Sequence, residues 1–434
     1  MRIACHTLGC KLNFAESSNL LRQLSEEGHE VVDFHEEADI YIINTCTVTA
    51  TSEKKCRTAI RQAIRQNRNA RVVVTGCFAQ NDAKQLSQIP GVSLIVGNDR
   101  KHLLAQIIAE NEGIPYPIDG TPDDDGGFAD GRCSRFPLAY SSNDRTRTFF
   151  KIQDGCDYFC TYCAIPFARG RSRSATIDDT VAMARRIAAT GSKEIVLTGV
   201  NTGTFGQHNG ESFEELLRAL DAVEGIQRYR ISSIEPNLLT QGIIELVAQS
   251  PKIMPHFHIP LQAGSDKVLK AMHRRYDTQL YRQKLDDIKR LMPHACIACD
   301  LMVGFYGEGL QEFEESCRFV ESLPLSYLHV FTYSERPNTA ALKMEGKVPI
   351  PERKRRSDIM HRISDRKKQA FYTAEHGTQH EVLWEGDMHE GYMGGWTDNY
   401  IRVRQPFNAN IVNEITPVTL SPDNIDINYI KADT

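Results

Sequence analysis

The chain has 434 residues, 41% apolar and 25% charged, ordinary values for a soluble globular protein and enough for about three domains. A formal charge of −5 excludes a globally basic nucleic-acid binder, so any RNA contact has to come from local patches. There is no run of about 18 apolar residues and no apolar leader, so the 12 cysteines are expected to be reduced thiols of a cytoplasmic protein, serving metal binding or catalysis, with no membrane contact.

Residues 1–112 alternate between strand and helix patterns. Strands are expected at Arg2–Thr7, Ile40–Asn44, Arg71–Thr75 and Ser93–Val96, and helices at Phe14–Glu27, Ser52–Gln66, Ala79–Gln88 and Arg100–Glu110. Such alternation argues for an open parallel sheet covered by helices. Cys10, Cys46 and Cys77 each fall just past a predicted strand end, where open α/β sheets bind ligands, so they are expected to meet in space. Lys54, Arg57, Arg61, Arg65 and Arg68 are spaced 3, 4, 4 and 3 along the second helix, with Glu53 the only acid from 53 to 71. One basic face without compensating acids is a candidate RNA contact; a solvated face is the bland alternative.

Residues 113–146 read as a linker, rich in Asp, Gly, Pro and Ser, in which Cys133 is incidental. Beyond it, Cys156, Cys160 and Cys163 form C-x3-C-x2-C. Three thiolates on one loop suit a soft metal centre and fall one short of a closed zinc site. A [4Fe–4S] cluster held this way keeps one iron open to another ligand. A zinc knuckle without its fourth ligand, or unrelated core thiols, are the alternatives.

From 147 to 375, six strands are expected (Phe149–Gln153, Glu194–Thr198, Tyr229–Ser233, His256–Pro260, Ile297–Val303 and Tyr327–Tyr333), separated by helices, which makes a partial (β/α)6 barrel with its site at the strand carboxyl ends. The strand-end segments carry Thr198, Gly199, Asn201, Ser233, Glu235 and Gln262, small or polar groups suited to ribose and amino-acid contacts. Cys296 and Cys299 sit on one strand at i and i+3 and should point apart, while Cys5, Cys56 and Cys317 read as core thiols. Pro351–Ala374 is expected to be a charged, solvated helix. Residues 376–434 read as a small all-β barrel, with three Lys/Arg against nine Asp/Glu, a poor phosphate-binding balance.

The motifs Thr7-Leu8-Gly9-Cys10-Lys11-Leu12-Asn13, Asn44-Thr45-Cys46-Thr47-Val48, Thr75-Gly76-Cys77, Gly155-Cys156 and Ala164–Ser174 together resemble the radical S-adenosylmethionine (SAM) methylthiotransferase family. The resemblance implies an amino-terminal α/β domain, a radical-SAM barrel and a closing TRAM domain. It implies two [4Fe–4S] clusters, one on Cys156, Cys160 and Cys163 that cleaves SAM to a 5′-deoxyadenosyl radical, and an auxiliary one on Cys10, Cys46 and Cys77 that carries sulfur. SAM-contacting loops are implied around Thr198, Gly199, Asn201, Ser233, Glu235 and Gln262. Gly304-Phe305-Tyr306-Gly307-Glu308-Gly309 departs from the family's usual G-F-P-G-E-T. Implied partners are tRNA, an electron donor such as flavodoxin or ferredoxin, and a sulfur source. Lys11-Leu12 between Cys10 and Asn13 is most like the branch acting on N6-threonylcarbamoyladenosine; the branches acting on isopentenyladenosine or on a ribosomal-protein aspartate are the alternatives. An iron–sulfur electron carrier or an RNA-binding scaffold is the non-enzymatic rival.

Overall fold

The computed structural model describes residues 1–110, 136–142 and 146–426. Most of the stretch expected to be a linker, Cys133 included, lies outside the described residues. The first five strands are β1 (Arg2–Thr7), β2 (Glu30–Val32), β3 (Ile40–Thr45), β4 (Arg71–Gly76) and β5 (Val92–Val96), paired in the order β2-β1-β3-β4-β5 and parallel throughout. Alternation along the strands fills two cores. Tyr41, Ile43, Val72 and Val74 pack against Ala59, Ile60 and Ala63 of α2 (the second helix, Ala50–Gln66). Ile40, Ile42 and Val73 pack on the other face against Leu20 and Leu24 of α1 (Lys11–Glu26) and against Leu104 and Ile108. The helix expected over 79–88 is two short ones, α3 (Cys77–Asn81) and α4 (Ala83–Ser87), because Asp82 leaves the helical conformation and caps the second by accepting from Gln85 N–H at 3.1 Å.

Strand β6 (Ala139–Tyr140), inside the expected linker, is an antiparallel edge on β7 (Arg147–Lys151). After the short pair β8 (Gln153–Asp154) and β9 (Arg173–Ser174) come β10 (Glu194–Thr198), β11 (Arg228–Ile231), β12 (His256–His258), β13 (Cys296–Val303) and β14 (Tyr327–Thr332). The strands β7-β10-β11 and β12-β13-β14 pair in parallel, and parallel bridges Tyr229–Ile253 and Ser233–His258 join the two sets. This is the expected six-stranded partial barrel. Its outward face, with Phe150, Leu197, Tyr229, Phe257 and Cys299, joins one large core with the surrounding helices. Cys296 belongs to a separate cluster with Ala298 and Tyr327, so the two thiols of that strand do face apart.

The helix Ile350–Ala374 corrects the solvated-face reading. Arg353 and Arg356 are buried, paired with Glu335 at 2.7 Å and Glu308 at 2.8 Å. They clamp the loops after β14 and β13. Four antiparallel strands end the fold: β15 (Gln379–His389), β16 (Tyr392–Thr397), β17 (Arg402–Pro406) and β18 (Ile415–Thr419), in the order β17-β16-β15-β18 around Trp384, Val382 and Val403. This sheet packs on the amino-terminal ends of the barrel strands. Arg228 donates to the carbonyls of Trp396 and Glu381 at 3.1 and 2.6 Å, and Arg230 to those of Asp398 and Thr397 at 3.0 and 3.2 Å.

Candidate active site

Cys10, Cys46 and Cys77 leave the carboxyl ends of β1, β3 and β4, which are neighbours in the sheet. Gly9 has φ +102°, and a Cβ on it would stand 2.8 Å from Cys46 Cβ and 3.0 Å from its Sγ. Only glycine lets this turn lie against Cys46. Asn13 Nδ2 donates to the carbonyls of Leu8 and Thr45 at 2.8 and 3.0 Å, tying the first loop to the second. Cys56, expected to be a core thiol, is buried, and its sulfur meets the Cys46 amide at 3.4 Å.

Gly155 turns the barrel loop at φ +70°, and a Cβ there would meet the Arg171 carbonyl oxygen at 2.0 Å. The loop is pinned by Cys156 N–H to Gly170 O (3.1 Å) and Thr161 Oγ1 to Ala271 O (3.0 Å). Arg274 donates to Cys160 Sγ at 3.1 Å and is ion-paired to Glu235. Cys160 and Cys163 line a cavity of about 550 Å³ with Phe159, Phe167, Asn338 and Thr339.

The two loops are packed on each other. Asn98 Nδ2 reaches Cys77 Sγ at 3.4 Å and the Ala168 carbonyl at 2.8 Å, joining α3 to the helix Ile165–Arg169 that follows Cys163. A buried charge network surrounds this joint. Arg169 bonds Asp154 at 2.9 Å and Glu16 at 3.2 Å; Lys151 bonds Glu16 at 2.7 Å and Asp154 at 2.9 Å; Lys101 bonds Glu16 at 2.6 Å. Burial alone would raise the carboxyl of Glu16, but Arg169, Lys101 and Lys151 hold it well below its usual range. Arg169 also feels Cys77 and Cys10, so the excess positive charge faces the sulfurs.

The chemistry of both loops fits iron–sulfur ligation. Burial, reinforced by neighbouring thiolates, pushes Cys46 and Cys163 up to about 12 and Cys156 up to about 11; burial also raises Cys160, with Arg274 opposing it. Only a bound cation makes such thiols anionic at neutral pH. Among the described residues no three Cys, His, Asp or Glu side chains converge on a single metal ion. A four-iron cube is wider than one ion, so its ligands stand further apart than a single-ion site requires.

Thr198, Gly199 and Ser233 line a second cavity, of about 1190 Å³, together with Cys10, and so bring the first domain and the barrel to one space. Asn201, Glu235 and Gln262 lie off its lining. Among the described residues the buried Thr198 Oγ1 and Ser232 Oγ lack hydrogen-bond partners, which fits a site for a polar ligand such as SAM. Gln153 is a residue that sequence reasoning misses. Its Oε1 accepts from the amides of Val200 and Asn201 at 2.9 Å each, and its Nε2 donates to Gly155 O at 2.8 Å, locking this strand end to the cysteine loop. In the divergent Gly304–Gly309 loop, Glu308 accepts from Gly304 N–H at 2.5 Å and from Arg356, so a carboxylate closes the turn.

Of the basic stripe, Lys54, Arg61, Arg65 and Arg68 are exposed. Arg57 is half-buried over Phe78, bonded to Gln85 and 3.9 Å from Glu53, so it is not a free cation. Arg68 lies past the end of α2, in the following turn rather than on the helix face. Glu53 is turned to Arg336 at 2.6 Å.

Residues 2–97 match the family described as Uncharacterized protein family UPF0004, and residues 150–320 match the Radical SAM superfamily. The Threonylcarbamoyladenosine tRNA methylthiotransferase MtaB of Bacillus subtilis is 38% identical over 96% of this chain and 93% of its own, and that of Aquifex aeolicus 35% over 93% and 97%. The tRNA-2-methylthio-N(6)-dimethylallyladenosine synthase of Wolinella succinogenes is 32% identical over 96% of both chains. Among solved structures, the radical S-adenosylmethionine methyltransferase TsrM from Kitasatospora setae is similar in fold, with a TM-score of 0.54 and 16% identity over 76% of this chain and 72% of that one. Identical at 38% and 35% of positions to the two MtaB relatives over 93% or more of each chain, this chain belongs to the radical SAM methylthiotransferase family.

Proposed function

We propose that the protein is a tRNA methylthiotransferase that places a methylthio group on C2 of N6-threonylcarbamoyladenosine beside the anticodon (position 37). The observation that carries this reading is the bridge made by Asn98 between Cys77 and the helix after Cys163, which sets two three-cysteine loops against each other. Cys156, Cys160 and Cys163 would hold the radical-generating [4Fe–4S] cluster, and Cys10, Cys46 and Cys77 a second, sulfur-carrying one. With SAM these groups supply a reductively formed radical for an unactivated C–H bond, a sulfur atom and a methyl group.

The chain's own residues have four tasks. Arg274 fixes Cys160 and Glu235 beside the cavity. Gln153 aligns the loop of Thr198, Gly199 and Asn201, which with Ser233, Glu235 and Gln262 would bind SAM. The Arg169 network holds the two halves at fixed separation and opposes the negative charge of thiolate ligation. Lys54, Arg61, Arg65 and Arg68, with Arg57 in support, would take tRNA phosphates. The segments 1–112, 147–375 and 376–434 act as auxiliary-cluster, radical-SAM and TRAM-type domains, served in the cytoplasm by a flavodoxin- or ferredoxin-like reductant and a sulfur source. Among the described residues no helix is long and apolar enough to cross a membrane.

Mass spectrometry of tRNA nucleosides from a deletion strain tests the reading. Loss of the 2-methylthio derivative of N6-threonylcarbamoyladenosine, restored by the gene, is expected. Its persistence, with loss of the dimethylallyl-derived nucleoside instead, overturns the substrate assignment.

A further inference from the structure

Lys11 follows Cys10 directly and lines the cavity of about 1190 Å³. From the first domain it comes within electrostatic reach of Tyr400, Arg147, Arg230 and Asp300, groups of the barrel lumen and its floor. Those other charges are already satisfied. Arg147 pairs with Glu385 at 3.4 Å, Arg230 with Glu194 at 3.0 Å, and Asp300 with His258 at 2.9 Å. Among the described residues Lys11 has no ion-pair or hydrogen-bond partner.

A second, independent feature lies in the same cavity. His256 is 5% exposed and packs on Tyr400 at 4.3 Å, yet among the described residues neither of its ring nitrogens has a hydrogen-bond partner. Burial, with Arg230 and Lys11 adding to it, holds the ring well below the usual imidazole range, so it is neutral and offers one donor and one acceptor. Lys11 is solvent-exposed at the cavity and open to an anion, whereas the buried imidazole, with neither nitrogen matched, costs free energy unless a ligand matches it.

We propose that Lys11 and His256 form a carboxylate subsite that reads the threonyl end of the substrate's N6 group, Lys11 pairing with the carboxylate and His256 bonding it or the adjacent hydroxyl. The inference rests on the reaction proposed above. A threonylcarbamoyl group carries both functions, whereas a dimethylallyl group carries neither and would leave the site unmatched. A site built to bond polar groups rejects analogues that lack them more strongly than an apolar pocket rejects an added group. The subsite places specificity next to Cys10, on the wall where sulfur would be delivered.

The test uses the anaerobically reconstituted full chain and three anticodon stem-loop RNAs, carrying N6-threonylcarbamoyladenosine, the same nucleoside with its carboxylate converted to a methylamide, or plain adenosine. Fluorescence anisotropy gives Kd, and nucleoside mass spectrometry gives product. The native chain is expected to prefer the carboxylate RNA over the amide by about tenfold or more. Lys11→Met should bring that ratio near one without changing affinity for the adenosine RNA. Lys11→Arg should keep most of the ratio, which separates charge recognition from a folding defect. A native ratio of one, or an unchanged ratio in Lys11→Met, overturns the subsite. If the native chain forms product while binding both RNAs equally, the reaction stands and the subsite falls; if it discriminates but never forms product, the subsite stands and the reaction assignment falls.

Discussion

Arg169 Nη2 of the barrel donates to Asn13 Oδ1 of the first domain at 2.5 Å, and each residue lies within a turn or two of a different three-cysteine motif. The bond is backed by Glu16 and Asp154, both nearly enclosed, so the joint between the domains is polar and dry. Removing one member of such a network leaves charge stranded. Arg169→Met should cost about 3–5 kcal/mol in denaturant unfolding. Methylthio product should fall more than RNA-independent SAM cleavage, which needs only the barrel. Equal loss of both activities would show that Arg169 serves the barrel alone.

On the proposed reading, the six cysteines divide into two sets with separate work. After anaerobic reconstitution, replacing Cys156, Cys160 and Cys163 with Ala should remove about half of the iron and abolish reductive SAM cleavage. Replacing Cys10, Cys46 and Cys77 should remove the other half, spare SAM cleavage and stop sulfur insertion. Iron and product assays on both triple variants decide it; methylthio product at the native level from the second would refute the sulfur-carrying role.

Electrostatics predict a pH limit in the carboxyl-terminal sheet. His380 is bonded to Asp398 at 2.6 Å and Glu375 at 3.0 Å; burial opposes its charge, but these bonds raise it to about 9 from an ordinary 6.5. A raised pKa stabilises the fold fully below about pH 6.5, and that contribution is lost as pH rises through about 9, on the order of 2–3 kcal/mol in all. Hydrogen exchange over 379–419 should therefore speed up between pH 7 and 10 beyond its intrinsic base catalysis. His380→Gln should flatten the excess, and a variant that kept it would place the titrating group elsewhere.

The exposed cations of the stripe predict how RNA binding responds to salt. Arg61, Arg65 and Arg68 changed to Glu should weaken tRNA binding and reduce the log–log salt slope by about 0.7–0.9 for each phosphate no longer neutralised. Arg57 is left alone because its bond to Gln85 and its stacking over Phe78 make it partly structural. An unaltered salt titration would mark the stripe as a solvated face.

Much of this architecture is legible in the order of the residues. The parallel sheet and the partial barrel follow from period and turn chemistry, and strand-end logic brings Cys10, Cys46 and Cys77 together. What escapes is local or long-range. Strand Glu30–Val32 is short and largely exposed at the sheet edge, so it carries no burial pattern. Charges on the helix Ile350–Ala374 look solvated because their partners, Glu308 and Glu335, lie 48 and 18 residues away from Arg356 and Arg353. Gln153, Asn98 and Arg274 act through distant loops, and a single polar residue in a sequence does not disclose its partner. Lys11 is visible within the motif; that it reaches the barrel lumen is not.

The carboxyl-terminal sheet seals the barrel from beneath, and this limits how the protein can be divided. Arg228 and Arg230, 3% and 1% exposed, pair with Glu194 and also donate to the backbone carbonyls of Glu381, Trp396, Thr397 and Asp398. A barrel cut free at residue 375 would carry two uncorked arginines and an open drain through its lumen. Radical chemistry punishes leaks, because water and stray hydrogen donors quench what the site generates. The acidic module therefore works as a gasket at the base of the barrel. A chimera that exchanged it for a relative's module would seat only if the incoming loops offered carbonyls at the same four positions.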